Sequence, residues 1–97
     1  MSEKDQRQYR LMLEKIGSFE QGEIRLESLV EDLDGLLNVL EEPASSWREA
    51  FLHEWGNLED ERAFAIFKNT KQFDNDAIQR LNAATAQLRL LILQKLK

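Results

Sequence analysis

Two apolar stripes separated by a proline set the architecture of this chain. The first is Leu26, Leu29, Val30, Leu33, Leu36, Leu37 and Leu40, recurring at steps of three and four. At about 100° per residue these side chains form a band roughly 120° wide on one side of a helix. Pro43 ends that helix near Glu42, because proline has no N–H to donate and its ring collides with the preceding turn. Beyond it, Trp47, Phe51, Trp55 and Leu58 repeat the spacing with larger side chains. Two such stripes joined by a short turn bury each other as an antiparallel helix pair. The remaining segments are expected to pack on that pair.

Upstream, Tyr9, Met12, Leu13, Ile16 and Phe19 follow helical spacing among good helix formers. Gly17 invites fraying from that point, and Gly22 is the expected stop. Gly35 interrupts the second stripe without displacing it, as a close approach of a neighbouring helix would require. Ser46 followed by Glu49 reads as a capping box, so the third helix is expected to start at Ser46. Its stripe extends through Arg62 to Ile66, whereas Phe64 and Phe67 point elsewhere. The segment from Lys68 to Phe73 reads as a basic loop, and Asp74 or Asn75 caps a last helix with Ile78, Leu81, Thr85, Leu88 and Ile92 as its core stripe. No segment alternates with period two. The expected fold is all-α, one domain over residues 1–97: a four-helix up-down-up-down antiparallel bundle with helices at about 5–20, 25–41, 46–67 and 75–96.

Several chemistries lack their residues. There is no cysteine, which removes disulfides, thiol nucleophiles and Cys-ligated zinc and fits a reducing compartment. The single histidine, His53, stands in His-Glu-Trp-Gly-Asn, and the second histidine of a zincin motif would fall at Asn57. A di-iron bundle needs Glu-x-x-His, and Ala50 occupies the glutamate position. The four glycines share no phosphate-loop or dinucleotide spacing. These residues point to no enzyme and no cofactor. The charged N-terminus lacks an apolar signal segment, and the aliphatic run Leu90–Leu93 is too short to span a bilayer, so a soluble cytoplasmic protein is expected.

Charge is segregated. Residues 20–61 hold thirteen acidic and two basic side chains, residues 62–97 two acidic and seven basic, within an overall net charge of −5. Such an acidic middle repels nucleic-acid phosphates and anionic membranes and steers a basic protein partner. The plain alternative is that acidic and basic helices neutralise each other and the remainder confers solubility. The candidate partner-binding residues are Glu27, Glu31, Asp34, Glu41 and Glu42 beside the second stripe, with Glu54 and Glu61 on one polar edge of the third helix and His53 and Asp60 on the next. Carboxylates on rigid helices occupy a cationic cleft where phosphates would sit. On the last helix Leu90 and Leu93 lie away from Leu88 and Ile92, as surplus surface or a weak homodimer seam.

The arrangement Phe19-Glu20-x-Gly22-x-Ile24-x-Leu26-x-x-Leu29-Val30-x-x-Leu33, then Leu36-Leu37, then Trp47-x-x-x-Phe51-x-x-x-Trp55-x-x-Leu58-Glu59, resembles small all-helical bacterial immunity proteins. In particular it resembles those of contact-dependent growth inhibition systems. The resemblance covers residues 19–59 and includes no catalytic motif. It implies binding to a toxin domain, often a nuclease, and blockage of its active site; it transfers no contact residues. Two readings follow: an immunity protein that neutralises a basic nuclease toxin, or a homo-oligomeric helical adaptor whose acidity serves solubility.

Overall fold

The computed structural model describes residues 3–67 and 73–96. Within them lie α1 (Glu3–Glu20), α2 (Leu26–Asn38), α3 (Ser45–Phe67) and α4 (Asn75–Leu93), and no strand. α1 packs on α2 and α4, and α3 packs on α2 and α4, while the diagonal pairs stay apart. The molecule measures 42 × 25 × 19 Å. No helix among the described residues is long and apolar enough to cross a membrane. The basic segment from Lys68 to Gln72 lies outside the described residues.

The stripes read from the sequence supply the core. Tyr9, Met12 and Ile16 come from α1, and Leu26, Leu29, Val30, Leu33 and Leu37 from α2. Trp47, Phe51 and Leu58 come from α3, and Leu81, Ala84, Leu88 and Ile92 from α4, with Thr85 buried beside them. Trp47 is the pivot. Its ring meets Tyr9 edge-on at 5.8 Å between centroids and Phe51 at 5.3 Å. It therefore packs against α1 as well as α4, whereas Trp55 is only partly buried and turns to α2, its indole N–H donating to the Val30 carbonyl at 2.9 Å.

Two of the expected helix ends form as the sequence implies. α1 runs through Gly17 without fraying and closes with the Glu23 N–H donating to the Ser18 carbonyl and the Gly22 N–H to the Phe19 carbonyl. That double closure needs a left-handed residue at Gly22, whose φ is 78°. Asp74 caps α4 by accepting the Ala77 N–H at 2.8 Å.

Elsewhere the structure corrects the expectation. α3 begins at Ser45, with the Arg48 N–H already bonded to the Ala44 carbonyl, so Ser46 sits inside the first turn and is not the cap. Gly35 faces open space, and no neighbouring helix approaches it. Ile66 is 60% exposed, because α3 has 23 residues against 13 in α2 and its last turns outrun that neighbour. Phe64 and Phe67 are exposed on the same overhang. Ile78 is 43% exposed at the matching end of α4, where Ala77 takes the buried position.

Candidate partner-binding surface

The acidic residues fall into three settings according to the helix edge they occupy. On α3, Arg48 and Trp55 reach α2, whereas Glu61 pairs with Arg80 of α4. At about 100° per residue these contacts fix the α3 azimuth. Glu54, Asn57 and Glu61 belong to the edge toward α4, and Glu49, His53 and Asp60 face outward. Asn57 donates to the Glu54 carboxylate at 3.3 Å. The two ridges expected to adjoin, Glu27–Glu31–Asp34 on α2 and Glu54–Glu61 on α3, therefore lie on opposite sides of α3.

The first setting is the α2 ridge. Glu27 and Glu31 are exposed, Asp34 is half-buried, and neither Glu31 nor Asp34 forms an ion pair among the described residues. Among the described residues Glu27 pairs with Arg25 at the start of its own helix, at 3.9 Å. Arg62 stands close enough for both Glu27 and Glu31 to raise its pKa, but its guanidinium is held by Glu59 one turn earlier, and that bond is the largest cause of the rise. The same bond holds the Glu59 carboxyl below the usual carboxylate range.

The second setting is internal neutralisation. Glu61 is tied to Arg80, and Glu20 to Arg89 at 3.1 Å for one of its two contacts. The Arg89 hydrogen bond lowers the Glu20 pKa. The basic α4 helix is thus spent on carboxylates of α3 and α1, and Glu61 is withdrawn from the candidate surface. Lys15 similarly meets Asp32 at 3.4 Å across an open depression lined by Leu11, Glu31, Gly35 and Leu36.

The third setting is the turn between α2 and α3, which holds Glu41 and Glu42. Both side chains are exposed, and Glu41 meets Lys4 at 3.0 Å. Their backbone N–H groups point inward to Asp5, a carboxylate 1% exposed, which accepts from Glu41 at 3.1 and 3.2 Å and from Glu42 at 2.9 Å. From the other side Arg48 donates to the carbonyls of Leu37 (3.2 Å), Leu40 (2.6 Å) and Pro43 (3.4 Å). Opposite charges therefore satisfy the donors and the acceptors of one turn, and Arg48 also suits the negative end of α2. Nothing in the sequence singled out Asp5 or Arg48, since neither belongs to a local motif.

His53 is exposed beside Asp60 and Glu49 on the outer face of α3. Among the described residues no group of His, Cys, Asp and Glu side chains is arranged to hold a metal ion. What the surface offers is fixed negative charge: a row along α2 and a second group, with Glu54 at its edge, on the outside of α3. No family model matches this chain, and no curated protein or solved structure does either.

Proposed function

We propose that this chain is a non-catalytic, cytoplasmic immunity protein that binds a basic toxin domain, a nuclease, and covers its active-site cleft with the α2 ridge. The observation that carries this reading is the row Glu27–Glu31–Asp34, its glutamates exposed and Asp34 half-buried, in which Glu31 and Asp34 form no ion pair among the described residues while Arg80 and Arg89 are paired with Glu61 and Glu20. Carboxylates held in a row on a rigid helix are preorganised to meet lysine and arginine side chains that would otherwise hold phosphates. Partners of the protein are then proteins, not nucleic acids or membranes. The underlying architecture is an up-down-up-down antiparallel bundle. Supporting it, Arg48 reaches Leu37 while Trp55 reaches Val30, so numbers fall along α2 as they rise along α3.

The test is toxin-domain affinity against ionic strength. Reversal of Glu27, Glu31 and Asp34 to Lys should slow association and abolish protection, with circular dichroism showing an intact fold, since exposed substitutions usually shift stability by about 0.5 kcal/mol or less. Reversal of Glu54 and Asp60 probes the outer face of α3 separately. Glu61 and Arg80 are unsuitable for either arm because each reversal breaks an internal pair. Arg7 and Arg10, exposed on α1, are the control and should leave binding unchanged. Wild-type affinity should fall with added salt, because exposed charges are screened beyond roughly 8–10 Å at physiological strength. Full inhibition by both acidic variants with a flat salt dependence would exclude the charge-based mechanism.

A further inference from the structure

The open depression between α1 and α2 has a volume of about 260 Å³ and is lined by Leu11, Lys15, Glu31, Asp32, Gly35 and Leu36. Leu11 is exposed on the α1 side and Leu36 partly buried on the α2 side. Gly35 adds bare backbone to this apolar surface, and a Cβ there would meet nothing within 4 Å. Glycine inside a helix is disfavoured against alanine, and the packing around Gly35 supplies no reason for it. What the glycine does is keep the depression open.

The charges at its rim are unequal. Lys15 and Asp32 pair at 3.4 Å and offset each other. Glu31 forms no ion pair among the described residues, so it leaves the lining with a net negative charge. Glu31 is also the middle member of the α2 ridge.

We infer that the depression receives one arginine side chain of the basic toxin domain, its methylene stem on Leu11, Gly35 and Leu36 and its guanidinium on the Glu31 carboxylate. This rests on the α2 ridge being the binding surface, and it names the side chain that the centre of the ridge takes. Glu31 and Gly35 are one helical turn apart on one face, about 5–6 Å, a gap that an arginine stem bridges. A depression this small and open falls below the roughly 300–1,000 Å³ of a small-molecule site and suits a side chain carried by a surface. An apolar side chain would cover the floor and leave the carboxylate unanswered. Lysine has a compact, strongly hydrated head, whereas guanidinium is weakly hydrated and meets a carboxylate with two parallel hydrogen bonds.

The test needs no toxin. N-acetyl-arginine amide is titrated at constant ionic strength to about 100 mM, enough to resolve millimolar binding, and read by NMR at the Gly35 amide and the Leu11 and Leu36 methyls. Shifts there should saturate, with a dissociation constant about tenfold below that of methylguanidinium, which lacks the stem. N-acetyl-lysine amide should bind more weakly than the arginine probe. Glu31→Gln should weaken the arginine probe about tenfold. Gly35→Leu should abolish its shifts and Gly35→Ala reduce them, while both variants melt at or above the wild-type midpoint. Absence of saturable shifts, equal binding of methylguanidinium, or undiminished binding by Gly35→Leu overturns the inference. Shifts at these residues on raising the protein concentration alone would give the depression to a second copy and overturn it as well. Arginine binding by a chain whose ridge reversals leave toxin neutralisation intact would instead count against the ridge reading, so the two fail separately.

Discussion

Replacing Asp5 with Ala removes the acceptor for two backbone N–H groups 36 and 37 residues away. Two hydrogen bonds to a charged group, at about 1.5–3 kcal/mol each, contribute roughly 3–6 kcal/mol. Part of that is recovered, since a carboxylate no longer has to be held out of water. The expected loss is therefore about 2–4 kcal/mol, a large share of the roughly 5–15 kcal/mol total of a domain this size. At about 4–8 °C per kcal/mol, the melting midpoint should drop by some 10–30 °C. Asp5→Asn keeps one carbonyl oxygen of similar shape and should lose about half as much. Lys4→Ala removes the neighbouring exposed pair with Glu41 and should change stability by less than about 1 kcal/mol. Urea denaturation followed by circular dichroism measures all three. If Asp5→Ala unfolds within about 0.5 kcal/mol of the wild type, the turn is not held by Asp5 and the reasoning fails.

The two indoles separate packing from hydrogen bonding. The Trp47 N–H donates at 2.9 Å to the Leu91 carbonyl in the last turn of α4, which receives no backbone donor among the described residues, whereas Trp55 donates to Val30 inside α2, where the helix supplies one already. Trp47→Phe should thus cost more than Trp55→Phe, and Trp47→Ala about 3–5 kcal/mol; denaturation midpoints in the reverse order would contradict this account. At low pH, Glu20 and Glu59 are held below the ordinary carboxylate value of 4.5 by Arg89 and Arg62, so their contribution is present above that value and is lost as pH falls through the lowered ones. Glu20→Gln with Glu59→Gln should flatten the acid limb of a stability–pH profile. At high pH, burial and then Asp5 raise the Tyr9 pKa above 10.0, so stability is full below that value and declines above it, a decline that Tyr9→Phe should diminish.

What the sequence determined on its own is most of the helical repeat and two of the local closures. The stripes of α1 and α2 could be read residue by residue, because 3.6-residue periodicity is imposed by the helix itself. The stop at Gly22 and the cap at Asp74 were equally legible, each being complete within six residues or fewer. Periodicity failed at Ile66 and Ile78, where the pattern continues but the neighbouring helix does not. Only the tertiary structure decided which carboxylates stay available. Glu61 and Glu20 meet arginines 19 and 69 residues away, while Glu31 and Asp34 meet none among the described residues. It likewise decided that Asp5 and Arg48 brace the turn at Glu41 and Glu42. The reason is that a charge pair depends on the azimuth and height at which two helices face each other. Those are fixed by how the stripes interlock across the core, a property of the packed molecule that no local window of sequence contains.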